Sequence, residues 1–583
     1  MRELVSKAEF ARATQLERLG MAGMVTPLMR LTGLTKINQI YDQIHDLHGL
    51  AFIEAFAQQM EIEAIWEGLG LKKIPKEGPF ITIANHPYGA WDGLLLLQMM
   101  AQHRPDFKVL ANFLLQQVEP IRDYFIPVDS IEARHDVYGS MGGMKQALAH
   151  LEQGHPLGIF PAGEVSSFQP KTRTITDRAW QRPTIKLIEK AGVPVIPIHF
   201  QGANSPLFHL MGMLHPALRT ARIPQETLNK KRTTIHARMG SPITVREQKR
   251  VDGVDRLGRY LRARVYSLGS GLQVERFFQG RIALPKKSVP VAQTVAPERI
   301  QADLDALHDD QKLCSQMEFD VYLAAAQQIP HVLQEIGRLR EVTFREVGEG
   351  TGQATDLDEY DLYYLHLFLY DREAQRIAGA YRLGKGDEIM LKYGKKGFYT
   401  HSLFRMRDGL QPVLSTAVEL GRSFILKEYQ RKRLSLFLLW KGIHTFLMSQ
   451  KQYRYLIGPV TISNDYSSFS KSLIVTLIEQ YFFDHELAKH VEPRKPFKPK
   501  LQRIDPADLL ATMANPSDLK QVDKILEDIE PEHFKLPILL KKYIKQNARI
   551  IAFNVDPSFN NALDGLMVLD LTELPDATHE NMS

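Results

Sequence analysis

Residues 79–94 read PFITIANHPYGAWDGL. Phe80, Ile81, Thr82, Ile83 and Ala84 form a short uncharged run with strand propensity, the pattern of a buried strand. The run stops at Asn85, His86 and Pro87, turns at Gly89, and Asp92 then opens an apolar helix-forming segment. Such a strand end presents a base and a carboxylate at the mouth of an α/β sheet, where ligands bind. The aspartate can accept from one imidazole nitrogen and leave the other basic. That is a general base with its orienting group and no nucleophile of its own. The substrate then brings the nucleophile, and a hydroxyl attacking an activated acyl group fits. No further His, Cys or carboxylate stands nearby at ligand spacing, so a metal is not expected. A histidine that only holds a turn is the competing reading of His86.

Outward from this stretch the same kind of strand end recurs. LGIFPAGEVS, 157–166, puts Pro161, Gly163 and Glu164 after an apolar strand. A glycine there lets backbone N–H groups approach a ligand. VPVIPIHFQGANS, 193–205, is a third strand running into a polar loop. Strand-like runs at 80–84, 107–111, 157–160, 193–198 and 233–239 alternate with helical runs at 92–102, 137–153 and 178–191. This rhythm predicts an α/β domain with one shared ligand face. Residues 1–65 read as helical throughout. Leu16, Leu19, Met24, Val25, Leu28 and Leu31 carry an apolar face among Arg and Lys, either for a membrane interface or for packing on the parent domain.

GRIALPKKSVPVAQTVAPE, 280–298, is rich in Pro and Lys and lacks periodicity. It predicts two domains, 1–280 and 300–583, with 281–299 as linker. The second begins with a helix near 300–330. Strands near 362–370, 375–383, 417–426 and 453–459 and a helix at 432–450 follow, so both domains are expected to be α/β.

At 583 residues the chain is long enough for more than one core. Between Val165 and Arg250 stand 15 Lys or Arg against 4 Asp or Glu, a field that attracts anions or simply a solvated face. The lone cysteine, Cys314, excludes an internal disulfide and points to a reducing compartment. The N-terminus lacks the apolar core of a signal peptide, and no apolar run approaches the roughly 20 residues of a membrane span. The expectation is a cytoplasmic protein, peripheral on the inner face of the membrane.

Asn85-His86 with Asp92, Phe160-Pro161 with Gly163-Glu164, and Val195-Ile196-Pro197-Ile198 together resemble the lysophospholipid and glycerol-phosphate acyltransferase family. Its blocks are N-H-x4-D, G-x-x-F-x-x-R, F-P-E-G-T-R and V-P-V-x-P. Here five residues separate His86 from Asp92, and the third block reads F-P-A-G-E without a following arginine. Both departures look like the hemolysin-like branch, which includes O-acyltransferases of aminolipid synthesis. The second block is represented weakly, by Asn112 and Arg122. The resemblance covers roughly 65–245. It implies His86 and Asp92 as catalytic residues and Asn85, Asn112, Pro161, Gly163 and Glu164 around the substrate. Lys171, Arg173, Arg178 and Arg182 remain available for a phosphate.

In the second half YRL, ELGR and YQRKRLSLFLLWKG follow one another. This order resembles the Gcn5-related N-acyltransferases that make lyso-ornithine lipid. The usual glycine-rich loop is missing at Gln430–Ser435, which fits acyl carrier protein as donor. Arg382, Glu419 and Arg422 are the site candidates, with Glu419 as base or amine-orienting carboxylate, or paired structurally with Arg422.

Taken together the resemblances imply a bifunctional ornithine-lipid-type synthase. It would N-acylate an amino acid with a 3-hydroxyacyl chain and then O-acylate that hydroxyl. No tightly bound cofactor is expected, with acyl-acyl carrier protein or acyl-CoA as co-substrate. Acyl carrier protein and an anionic membrane surface are the expected partners, and nucleic acid is not. Two alternatives stay open: a glycerophospholipid acyltransferase with a non-catalytic second half, and a membrane-surface binding protein.

Overall fold

The structure, a computed structural model, describes residues 2–13, 22–112, 115, 118–128, 137–170, 173–214, 216–270, 289–430, 433–499, 504–513, 519–530, 534–557 and 559–575. It divides into two compact units. The first comprises 1–273 and 501–535, the second 274–500 and 536–583.

The first unit is built on a seven-stranded sheet. Its strands are β1 (Glu63–Glu67), β2 (Ile81–Ala84), β3 (Lys108–Asn112), β4 (Phe125–Val128), β5 (Leu157–Ile159), β8 (Val195–Phe200) and β9 (Thr234–Met239). The order is β1-β9-β8-β2-β5-β3-β4, parallel except between β8 and β9. A small antiparallel hairpin, β6 (Ser167–Gln169) and β7 (Thr174–Thr176), stands apart. The helices are α1 (Lys7–Ala13), α2 (Val25–Leu31), α3 (Leu34–Ile44), α4 (Leu50–Gln59), α5 (Ala90–His103), α6 (Val137–Glu152), α7 (Arg182–Ala191), α8 (Pro206–Leu214), α9 (Pro216–Asn229), α10 (Val245–Gln248) and α11 (Val254–Ser267).

The pleat explains why the sequence run of β2 has no polar face. Phe80 and Ala84 pack on one side with Phe52, Ile53, Trp91 and Leu95 of α4 and α5. Ile81 and Ile83 pack on the other with Leu151, Ile185, Leu257 and Leu261 of α6, α7 and α11. A parallel sheet covered on both faces requires such continuous apolar strands. Because β2, β5 and β3 run parallel as neighbours, their C-terminal ends share one edge, as the alternation predicted.

Several expectations change. Residues 63–67 are strand β1, paired with β9, so 1–65 is not wholly helical. Val25 and Met29 of α2 are buried in a small cluster with Ala11, with Phe10, Leu28 and Leu34 against it. Val25 and Met29 therefore serve the fold, whereas Met24 and Leu31 of the same face stay 44 and 70% exposed; Leu16, Leu19 and Met21 lie outside the described residues. Of the predicted linker, 281–288 lies outside the described residues. Val289 N–H and Ala292 N–H donate to the Gly352 and Ala354 carbonyls, both at 2.9 Å, so the remainder lies along the second unit.

Residues 501–535 belong to the first unit although the sequence reading placed them in the second domain. The helix Lys520–Ile529 brings Asp528 to Arg264, 2.9 Å away, both 2% exposed. Asp528 also accepts from the Ser241 N–H at 3.0 Å and the Ser241 hydroxyl at 2.9 Å. Lys524 pairs with Glu247 at 2.9 Å.

The second unit carries an eight-stranded sheet of β10 (Lys312–Gln316), β11 (Phe319–Ala325), β12 (Leu365–Asp371), β13 (Arg376–Lys385), β15 (Ala417–Ile425), β16 (Tyr455–Ile462), β18 (Arg549–Asp556) and β19 (Ala562–Asp570). A separate ladder joins β14 (Phe404–Met406) to β17 (Val491–Pro493). The main order is β10-β11-β12-β13-β15-β16-β19-β18, antiparallel except between β15 and β16. The expected helix at 300–330 resolves into α12 (Pro297–Asp305) and the β10–β11 hairpin, whose turn holds Met317 at φ 52°. A further helix, α13 (Pro330–Glu346), follows. The predicted helix at 432–450 is Arg433–Ser449.

Candidate active sites

In the first unit the β2 strand ends on Asn85, whose amide pairs with the backbone of β8. Its Nδ2 donates to the Phe200 carbonyl at 2.8 Å, and the Phe200 N–H donates to its Oδ1 at 2.7 Å. Asn85 therefore ties two strand ends together. The next residue, His86, is released from the sheet. Its backbone N–H donates to the Asp177 carboxylate at 3.2 Å and its carbonyl accepts from the Ser166 N–H at 2.8 Å. The Asp177 carboxylate accepts from the Ser166 hydroxyl at 2.6 Å and the Trp180 indole N–H at 3.2 Å, and its backbone N–H donates to the Tyr266 hydroxyl at 2.8 Å. The sequence reading missed Asp177. Its signal was there: it is one of only four acids in the basic stretch from 165 to 250.

The His86 ring lies against Phe160, with centroids 4.2 Å apart, and keeps 18% of its side chain exposed. Its Nδ1 is 3.0 Å from Oδ2 of the fully buried Asp92. The contact has ion-pair distance, but the ring is turned so that it is not a straight hydrogen bond. Such contacts often tighten only when substrate binds. Asp92 also accepts from the Tyr88 N–H at 2.8 Å and the Gly89 N–H at 3.0 Å, so the same carboxylate caps α5. Burial pushes its carboxyl up from the usual carboxylate range, opposed by the imidazole and the two amides. With Nδ1 facing Asp92, Nε2 is the nitrogen left to take a proton from an acceptor hydroxyl.

The FPAGE loop frames the same edge. The Gly163 N–H donates to the Phe160 carbonyl at 2.9 Å with φ at 69°, and a Cβ there would meet the Gln181 amide at 2.3 Å. The Pro161 carbonyl accepts from the Gln181 N–H at 2.9 Å. Glu164 pairs with the buried Arg219 and lies 3.3 Å from Arg178. The carboxylate thus brings in from α9 an arginine that the block lacks in sequence. Asn112 is half-buried at the end of β3, on this edge, with β5 between it and β2. Arg173, Arg178 and Arg182 are described; Lys171 is not. Arg182 is 3.3 Å from Asp255.

In the second unit β15 and β16 pair in parallel only over Ala417–Glu419 and Tyr455–Ile457. Beyond these residues they part, which opens a wedge in the sheet. The three candidates stand near it, each held in a buried network. Arg382 is fully buried, ion-paired to Asp358 and Asp361 and surrounded by the Tyr360, Tyr364 and Tyr399 rings at 5.2–5.5 Å. Glu419 accepts from the Tyr399 N–H at 2.9 Å, the Thr400 N–H at 2.8 Å and the Thr400 and Tyr364 hydroxyls. Those donors fill both oxygens, so Glu419 holds an amide turn and has no capacity left for an amine. It does not pair with Arg422 either. Arg422, at φ 49°, faces Asp356 at 3.6 Å and Asp358 at 3.3 Å. Its guanidinium lies 4.6 Å from the Phe559 ring.

Sequence reasoning did not single out the carboxylates across from Arg422. Asp564 accepts from the Thr461 hydroxyl at 2.7 Å, and burial with the neighbouring Asp556 and Glu349 pushes its pKa up to about 7. Burial does the same to Glu349, also to about 7. A carboxylate with that pKa is suited to exchanging protons near neutrality. Arg431 and Lys432 of the expected anion loop lie outside the described residues.

Comparison with known proteins agrees with both halves. Residues 10–275 match the family model described as Acyltransferase, and 339–441 match that described as Acetyltransferase (GNAT) domain. A glycine N(alpha)-acyltransferase of Phocaeicola vulgatus is 30% identical over 43% of this chain and 78% of its own length. A lyso-glycine lipid O-acyltransferase of Bacteroides thetaiotaomicron is 25% identical over 38% of this chain and 80% of its own. The solved 1-acyl-sn-glycerophosphate acyltransferase of Thermotoga maritima is 21% identical over 37% of this chain and 76% of that one, with a TM-score of 0.25. The chain is an acyltransferase with an N-terminal acyltransferase domain and a C-terminal GNAT domain, and it belongs to the family of the glycine N-acyltransferases.

Proposed function

We propose that this chain makes a diacylated aminolipid by two successive acyl transfers, with glycine as the first-choice amino acid. In the first transfer the amino-acid nitrogen attacks a 3-hydroxyacyl thioester in the GNAT domain, forming an amide and releasing the thiol. In the second the 3-hydroxyl of that product attacks another acyl thioester in the N-terminal domain. His86 takes the hydroxyl proton and returns it to the departing thiolate; Asp92 orients the ring and balances its positive charge. No acyl-enzyme is needed. Acyl carrier protein or coenzyme A carries the acyl groups.

One observation carries the proposal. Bacteroides thetaiotaomicron has separate proteins named glycine N(alpha)-acyltransferase and lyso-glycine lipid O-acyltransferase, and this single chain is similar to both. Fusing consecutive steps keeps the monoacyl intermediate at high effective concentration. Glycine comes from the names of those relatives and displaces ornithine as first candidate. Purified protein incubated with 3-hydroxyacyl-acyl carrier protein and glycine, ornithine or serine in turn should form an N-acyl product with one of them, glycine first. Acylation of lysophosphatidate together with no amide from any amino acid would replace this reading by the glycerophospholipid one.

A further inference from the structure

The helix after β8 is apolar on the wrong side for a folded core. In α8, Phe208 and His209 are buried, while Leu207, Leu210, Met213 and Leu214 are 47, 55, 57 and 74% exposed. At 100° per residue Leu207, Leu210 and Leu214 fall on one face, Met213 flanks it, and the buried pair lies opposite. Leu218 of α9 adds a fifth exposed side chain, 43% exposed. Isolated exposed leucines are ordinary, but an apolar stripe along one helix marks an interaction surface.

The helix is not loosely attached. The Ser205 hydroxyl accepts from the Phe208 N–H at 3.2 Å and donates to Glu226 of α9 at 2.7 Å. Arg222 reinforces Glu226 at 3.1 Å. The hairpin is also bonded to the His86 turn. Asn204 Nδ2 donates to the Tyr88 carbonyl at 3.4 Å, and the Tyr88 hydroxyl donates to the Gln201 carbonyl at 2.7 Å. A Cβ at Gly202, φ 130°, would run into that hydroxyl. From the other side Arg219 of α9 holds Glu164 of the FPAGE loop.

We infer that α8 is the segment by which the first unit inserts into an anionic membrane surface, setting the His86 edge against the bilayer. The charge around it favours that occupant over a second protein copy. No Asp or Glu occurs from Lys190 to Gln225. The β6–β7 hairpin, packed beside α8, exposes Arg173, and Arg178 follows it with 44% of its side chain exposed. An apolar face with a cationic flank matches acyl chains beneath anionic head groups. The inference rests on the acceptor being a lipid, and its test does not require turnover.

Full-length protein is mixed with phosphatidylcholine vesicles containing or lacking phosphatidylglycerol and floated on a gradient. The Leu210→Glu/Leu214→Glu variant should lose at least tenfold in vesicle binding while its thermal midpoint stays unchanged. In a Cys314→Ser background, an environment-sensitive fluorophore on Leu210→Cys should shift to the blue with phosphatidylglycerol vesicles, whereas one on Leu31→Cys should not. Undiminished flotation of the double glutamate variant, or a fluorophore that responds only at position 31, would overturn the inference. Equal binding to neutral vesicles would remove its anionic part. A wild-type dimer that the same substitutions dissociate would show that a second copy covers this face. Wild-type protein that floats with the anionic vesicles yet makes no aminolipid would count against the proposed function alone.

Discussion

His86 and Asp92 carry different burdens, and substitutions should separate them. His86→Ala removes the proposed base, which usually costs roughly 10²–10⁴ in rate. Asp92→Asn retains an oxygen to accept from the Tyr88 and Gly89 amides, so it should fold. It should lower kcat for O-acylation with little change in KM, because the ring loses the charge that balances its protonated form. Asp92→Ala should in addition lose about 1–3 kcal/mol of stability, since buried amide donors lose their acceptor. A thermal melt of the three variants beside their O-acylation kinetics checks the separation; a fully active Asp92→Asn enzyme would reduce Asp92 to a helix cap. In the second unit Asp564 gives a pH signature. Its folded pKa, about 7, lies above the ordinary 3.8. The native state therefore keeps a proton that the unfolded chain releases, and the group's contribution to stability falls as pH rises from about 4 to about 7. Asp564→Asn should gain stability over wild type at pH 8 relative to pH 5, read as the difference in urea midpoints. A pH-independent difference would mean that Asp564 titrates normally.

At the scale of elements, the β2 strand and its turn were legible because physics and chemistry coincide there. An uncharged run covered on both faces can hardly be anything but a central strand, and the His and Asp at its exit stand out against it. The strands β5 and β8 were legible for the same reason. Elements whose identity depends on partners were not. β1, EAIWE, reads as the end of a helical region until β9 is placed beside it. The β10–β11 hairpin lacks a glycine turn and instead puts Met317 at positive φ. β18 and β19 are joined through Asn560 and Asn561, at φ 49° and 56°, a turn signal that could have been read. The helix Lys520–Ile529 looked like part of the second domain because sequence order gives no sign that Asp528 meets Arg264. That meeting makes a prediction. Asp528→Ala leaves the Arg264 guanidinium buried without its carboxylate, and removal of one partner of such a pair costs about 3–5 kcal/mol. Chemical denaturation should show the loss in the first unit's transition, and an unchanged midpoint would mean that the segment 501–535 adds nothing to its core.

For the molecule as a whole, the sequence pattern conveyed two α/β units and the strand-end edge that carries His86 and Asp92, but not the buried networks that hold the candidates of the second. Arg382 and Glu419 were site candidates on the resemblance to the N-acyltransferases. The structure explains them as a buried cation in a tyrosine cage and a carboxylate saturated by four donors. Charge inside a strand signals burial with a partner as readily as catalysis, and only the partners distinguish the two. The proposed function puts both acyl transfers on one chain and gives His86 a part only in the second. Mass spectrometry of lipids from a host expressing wild-type or His86→Ala protein decides this. Wild type should add a phosphorus-free diacylated aminolipid, and His86→Ala should accumulate its monoacyl precursor. Wild-type amounts of the diacyl lipid in the His86→Ala strain, or no new amine-derived lipid from the wild-type protein, would contradict it.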